Sequence, residues 1–158
     1  MINSKRRLPT LNYTLSPFKV NLGCGTKPLE GYIGMDIVDF GQEFVWNILE
    51  GIPLADSSVS EFKSHHFVGH FTFLEFGLIC EEMWRVGIDK CIIHMHVPLR
   101  TCARAYRPTH TSFWDKLVVE GFFIGFVDEK HNRTNQFTVL SAIEKDDGML
   151  SFRVQVNK

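Results

Sequence analysis

Two groups of residues in this chain have types and spacings suited to chemistry. The first is Asn21-Leu22-Gly23-Cys24-Gly25, followed by Asp36. Apolar residues run into two glycines, and glycine lets a ligand approach the backbone with no Cβ in the way. A carboxylate ending the next strand can accept two hydrogen bonds from the vicinal hydroxyls of a ribose. The glycines and the acid are closer than the ~20 residues of a dinucleotide-binding unit, and a third glycine at that spacing is missing. Pro28 stands where the helix would run, so a pyrophosphate at a helix N-terminus is poorly served. A nucleotide- or NAD-binding oxidoreductase is therefore the weaker reading.

The second group is the histidines His65, His66, His70, His94, His96 and His110. An imidazole titrates near neutrality and can act as a general base. His94 and His96 alternate and would share one strand face. Two strand ligands and one from a loop suit zinc, but no carboxylate or thiol completes a known spacing, so no metal is expected. Cys24, Cys80, Cys91 and Cys102 form no Cys-x-x-Cys pair and read as free thiols of a reducing cytosol. The glycine turn accounts for the setting of Cys24 without a nucleophilic role.

These residues need elements to hold them. Residues 19–22 read as a strand stopping at the glycines, 31–37 as a second ending in the acid, 43–47 as a third and 60–65 as a fourth. Residues 71–86 are the clearest helix, with Phe73, Phe76, Ile79, Met83 and Val86 at three- and four-residue steps and Gly87 to end it. A fifth strand covers 90–97, closed by Pro98. A polar loop over 100–108 then leads to a short helix near 112–120, and 122–127 is a strand or buried connector. Residues 136–145 and 149–157 flank Asp146-Asp147-Gly148, a hairpin signature. Strands alternating with connectors predict a mostly parallel α/β sheet, and the hairpin puts an antiparallel strand near one edge.

The chain of 158 residues suits a single domain, 1–158, with 1–18 as an extended N-terminal arm. A net charge of -1 gives no broad footprint for nucleic acid or an anionic membrane. The basic run Lys5-Arg6-Arg7 reads as a solvated tail. No apolar run reaches the ~18 residues of a membrane span. The first residues lack the apolar core of a signal peptide, so a cytoplasmic location is expected and the triplets at Asn12 and Asn132 carry little meaning. Aromatic residues over 62–76 and 113–126 read mainly as core.

Asn21-Leu22-Gly23-Cys24-Gly25 resembles the glycine-rich first motif of class I S-adenosylmethionine (SAM)-dependent methyltransferases. Residues 26–37 resemble a compact subgroup in which the first connecting helix is very short. Residues 52–62, 65–71, 81–86, 90–98 and 107–110 resemble later blocks of the family in the right order, so the likeness covers roughly 19–114. Gly69, Asn47 and Ser60 stand where the family has acids, and Gly87-Ile88-Asp89 replaces its glycine turn.

The resemblance implies a Rossmann-like, doubly wound, mostly parallel sheet with a C-terminal antiparallel hairpin. It implies SAM as cofactor, with Gly23, Cys24 and Gly25 against the methionine part and Thr26 and Lys27 meeting its carboxylate. Asp36 would take the ribose and Ile37 the adenine face. Asn47 and Ile48 would border the adenine edge, the Asn47 oxygen accepting from the amino group. His66, His70 and His110 would frame the methyl acceptor, any one of them serving as base. The acceptor is expected to be a small molecule or glycan-like metabolite. A non-catalytic SAM-binding or interaction module is the alternative.

Overall fold

In β1 (Phe18–Leu22) Val20 and Leu22 are buried, and in β4 (Val59–His65) Phe62 is. Cys91, Ile93, Met95 and Val97 alternate in the same way along β5 (Gly87–Pro98). That period of two gives each strand one apolar face. The computed structural model, which describes residues 6–123 and 136–158, assembles these strands with β2 (Ile33–Asp36), β3 (Phe44–Val45), β6 (Phe137–Glu144) and β7 (Met149–Val156) into one sheet. The order is β3-β2-β1-β4-β5-β7-β6. The pairs from β3 through β5 are parallel, and β7 runs antiparallel to both β5 and β6. This is the mostly parallel sheet with a C-terminal hairpin that the sequence led us to expect. The strand order reverses between β1 and β4, which opens a crevice at their carboxyl ends.

The apolar face is covered by α1 (Phe73–Val86) and α2 (Lys116–Gly121). Phe76, Ile79, Cys80, Met83 and Val86 of α1 join the strand residues in one core. Trp114 is fully buried at its centre, edge-on to Phe76 and stacked on Phe152 of β7. Thr72 caps α1 through a reciprocal bond pair with Glu75.

The register defines the opposite face. Lys19 lies beside Glu61, Asn21 beside Lys63, Lys63 beside His94, and His65 beside His96; His94 and His96 in turn lie beside Arg153 and Ser151. These positions are polar, with Ile92 beside Glu61 as an apolar neighbour on the same face. No helix lies on it among the described residues, because 23–32 and 37–43 connect β1 to β2 and β2 to β3 through turns. Parallel sheets usually bury both faces; this one presents imidazoles and amines on one side.

Other details differ from the sequence reading. β5 starts at Gly87, directly at the end of α1, with a bulge against β4 and a left-handed Lys90. The short helix starts at Lys116 because Asp115 caps it, while Ser112 is held by Val68 and Trp114. Phe122 and Phe123 are buried beyond α2, and 124–127 lie outside the described residues, as do Lys5 and Asn132. From Arg6 onward the arm makes contacts with the sheet edge, although both arginines stay exposed. Arg7 pairs through its backbone with Val45 and through its guanidinium with Asp39. Arg6 bonds Glu50 and lies over the Trp46 ring. The arm also holds a 3-10 turn at Tyr13–Leu15, capped by Asn12.

Candidate functional site

At the end of β1 the chain turns through Gly23 and Gly25, both left-handed (φ 61° and 51°). A Cβ on Gly23 would lie 2.4 Å from the Phe67 ring, so this position needs glycine for two separate reasons. The turn is fastened to β2. Gly23 N–H donates to the Met35 carbonyl at 2.8 Å and Gly25 N–H to Asp36 Oδ2 at 2.9 Å. Asp36 Oδ1 accepts from Val38 N–H at 3.0 Å. Each carboxylate oxygen keeps a further lone pair, which a diol can use. Cys24 is buried, and that burial, with the Asp36 charge second, pushes its thiol up to about 11. It is inert as a nucleophile at neutral pH.

A cavity of about 630 Å³ opens at the crevice. Gly23, Asp36, Ile37, Asn47 and Ile48 all line it, together with Val38, Trp46, Leu49 and Phe67. Asn47 caps the 3-10 turn Ile48–Glu50, its oxygen accepting from Leu49 N–H at 3.1 Å. Ile37, Val38 and Leu49 are large apolar side chains left exposed around the mouth. Exposed apolar groups beside a carboxylate and a glycine turn provide a slot for a planar base, a ribose anchor and room for a chain. These features fit SAM.

Thr26, Lys27, Cys24 and Gly25 line a second cavity of about 550 Å³ on the polar sheet face, with Asn21, Lys63, His65, His94 and His96. Gly23 and His66 border both cavities. The sequence-derived cofactor residues thus divide between two spaces that share Gly23 and His66 as a common wall. Trp46, Val38, Leu49 and Phe67 are wall residues not singled out in the sequence; Phe67 falls inside the 65–71 block, and the other three sit beside a motif residue.

The three candidate bases have different settings. His66 follows β4 in a left-handed conformation (φ 58°), its N–H bonded to the His96 carbonyl at 2.9 Å. Its Nδ1 is buried with no hydrogen-bond partner. Burial, then the neighbouring His65, pulls its pKa down to about 4. His70 lines the first cavity, and its Nδ1 lies 3.2 Å from the Thr109 carbonyl. His110 lines neither cavity. Its Nδ1 lies 3.1 Å from the Ala105 carbonyl, and its ring meets that of His70 edge-on at 4.8 Å. A Cβ on Gly69 would come within 3.3 Å of His110, so the glycine there makes room for this ring. Among the described residues no three His, Cys, Asp or Glu converge to hold a metal ion, and no helix is long and apolar enough to cross a membrane.

No protein-family model matches the chain, and no curated protein sequence matches it. Solved structures do. The PH0226 protein of Pyrococcus horikoshii superposes with a TM-score of 0.65 at 14% identity, over 92% of this chain and 84% of that one. A SAM-dependent methyltransferase of Archaeoglobus fulgidus gives 0.63 at 14% identity, over 90% and 87%. A SAM-dependent methyltransferase of Methanosarcina mazei gives 0.59 at 14%, over 93% and 94%. At such identities the likeness establishes the fold.

Proposed function

We propose that this chain, which has the Rossmann-like fold of class I SAM-dependent methyltransferases, binds SAM in the first cavity and transfers its methyl group to a small-molecule or glycan-like acceptor. The observation that carries this reading is convergence. The glycine turn, Asp36, Ile37, Asn47 and Ile48 come from three separate connections and meet in one cavity at the reversal point of the sheet. Asp36 would receive the ribose hydroxyls, Ile37, Val38, Ile48 and Leu49 would pack on the adenine, and the Asn47 side chain would border its polar edge. Gly23 would let the methionine part pass close over the backbone, while Thr26 and Lys27 stand in the second cavity rather than against its carboxylate.

Bound SAM would supply an already activated methyl group, the electron pair of its broken carbon–sulfur bond staying on sulfur as the acceptor–carbon bond forms. The protein's task is alignment and proton removal. His66 stands where the two cavities meet, and its depressed pKa keeps it neutral. It accepts a hydrogen bond from the acceptor and takes the acceptor's proton as transfer proceeds. A base of low pKa suffices, because methylation makes that proton acidic. His70 borders the same space, and His110 positions His70 and its loop.

A cytoplasmic location fits the four free cysteines. The alternative is a SAM-binding module without turnover, which the tethering of His70 and His110 to loop carbonyls favours. Calorimetric titration of SAM and S-adenosylhomocysteine into wild type and Asp36→Ala tests the cofactor reading. Saturable binding that weakens by about a hundredfold in the variant is expected, from loss of two charge-assisted hydrogen bonds. A folded protein that binds neither compound sinks it. Binding without methyl transfer to any member of an acceptor panel selects the module.

A further inference from the structure

We infer that the methyl acceptor is a small oxyanion-bearing molecule that binds in the second cavity, on the polar face of the sheet. This inference rests on the cofactor reading above. Three observations carry it. First, the two cavities share Gly23 and His66, so a molecule in the second would lie against the same residues as a cofactor in the first. At about 550 Å³ the second suits a small ligand.

Second, among the described residues the walls carry two amines, four imidazoles and an amide but no carboxylate. Glu61, one step along β4 from Lys63 on the same face, is shared by Lys19 at 3.5 Å and Lys63 at 3.7 Å. Lys27 makes no ion pair among the described residues. Third, the imidazoles are crowded. The His94 and His96 rings are 4.5 Å apart, His65 and His96 5.7 Å, and His65 and His66 4.4 Å. Neighbouring rings that share a polar, half-buried floor cannot all charge unless an anion joins them.

The face has a definite charge environment. Lys27, Lys63, Lys145, Arg104 and Arg153 act on these rings with positive charge, against Glu61 and Asp147. Burial comes first, followed by these cations and neighbouring histidines, in pulling His65, His94 and His96 below their ordinary range, His96 to about 4. An oxyanion reverses the balance, so its binding takes up protons and tightens as pH falls.

Sodium sulfate, whose charge is constant over the range, is the probe. It is titrated into the full chain saturated with S-adenosylhomocysteine, with the imidazole resonances followed by NMR. We expect saturable binding that moves His65, His94 and His96 and is about tenfold tighter at about pH 5.5 than at about pH 7.5. Lys63→Met and His96→Gln, each confirmed folded by circular dichroism, weaken it about tenfold, and Lys116→Gln on α2 leaves it unchanged. Sulfate that fails to bind while S-adenosylhomocysteine does overturns the inference and leaves the cofactor reading standing. Sulfate displaced by S-adenosylhomocysteine overturns it too, giving the cavity to the methionine end. Sulfate binding indifferent to both variants marks an adventitious ion only and overturns it. Failure of S-adenosylhomocysteine itself removes the cofactor reading and, with it, the acceptor role.

Discussion

Gly23 carries more constraint than any other residue of the site. Its φ of 61° strains an L side chain, and a Cβ would overlap Phe67. Gly23→Ala is expected to cost about 2–3 kcal/mol in urea unfolding, combining backbone strain with overpacking. It should also weaken S-adenosylhomocysteine binding, because Phe67 must move into the cavity it lines. Gly25→Ala separates the two causes. Its φ is also positive, but a Cβ there meets nothing within 4 Å, so a cost of about 1 kcal/mol is expected. Equal costs for the two variants would refute the packing part. At this scale the sequence was informative about backbone and poor about side chains. Gly23, Gly25 and Asp36 could be read because glycine and a strand-end acid have few other uses. Which histidines reach the cavity could not be read, because that depends on a left-handed turn at His66 and on His110 filling the space above Gly69.

Elements were legible where a pattern is long or a turn demands special residues. The stripe of α1 and the Asp146-Asp147-Gly148 turn, with Gly148 left-handed, appear where expected. The start of β5 was not, because no loop residue separates it from α1. The end of α1 is instead fixed by side chains. Arg85 bonds Glu82, Asp56 and the carbonyls of Ile52 and Leu54, while Glu82 also accepts from Ile52 N–H at 2.8 Å. This clamp holds the connection from β3 to β4, whose 3-10 turn walls the first cavity. Its cost on removal is moderated by solvent, since about a third of the Arg85 side chain is exposed. Arg85→Met should lower stability by about 2 kcal/mol in urea unfolding and loosen cofactor binding. Thr72→Ala at the other end of α1 should cost about 1 kcal/mol and leave binding unchanged, because neither Thr72 nor Glu75 itself lines the cavity. A binding defect in Thr72→Ala equal to that of Arg85→Met would show that the whole helix, rather than the clamp, supports the site.

The molecule as a whole is a mostly parallel sheet with helices on one side only, among its described residues, and its histidines follow that asymmetry. His65, His94 and His96 lie on the open face, with His66 at the edge of both cavities. Burial depresses all four, His66 and His96 to about 4 from an ordinary value of 6.5. Between those limits the unfolded chain binds protons that the folded chain refuses, so stability rises with pH. It is fully present above about pH 6.5 and is lost as the pH falls toward about 4. The depressed carboxyls of Asp39, Glu82, Asp89 and Asp115 act in the same direction, but their contributions are lost only below their ordinary values of 3.8 to 4.5. The window from about pH 6.5 to about pH 5 therefore belongs to the imidazoles. The urea midpoint should fall across it, and His96→Gln should flatten the fall without lowering the midpoint at neutral pH. Sulfate should flatten it as well, by giving the protonated rings a partner in the folded state. A midpoint constant across the window in wild type would mean that the imidazoles of the open face charge as freely in the folded protein as in the unfolded chain. A fall that sulfate leaves untouched would separate the crowding of the rings from anion binding.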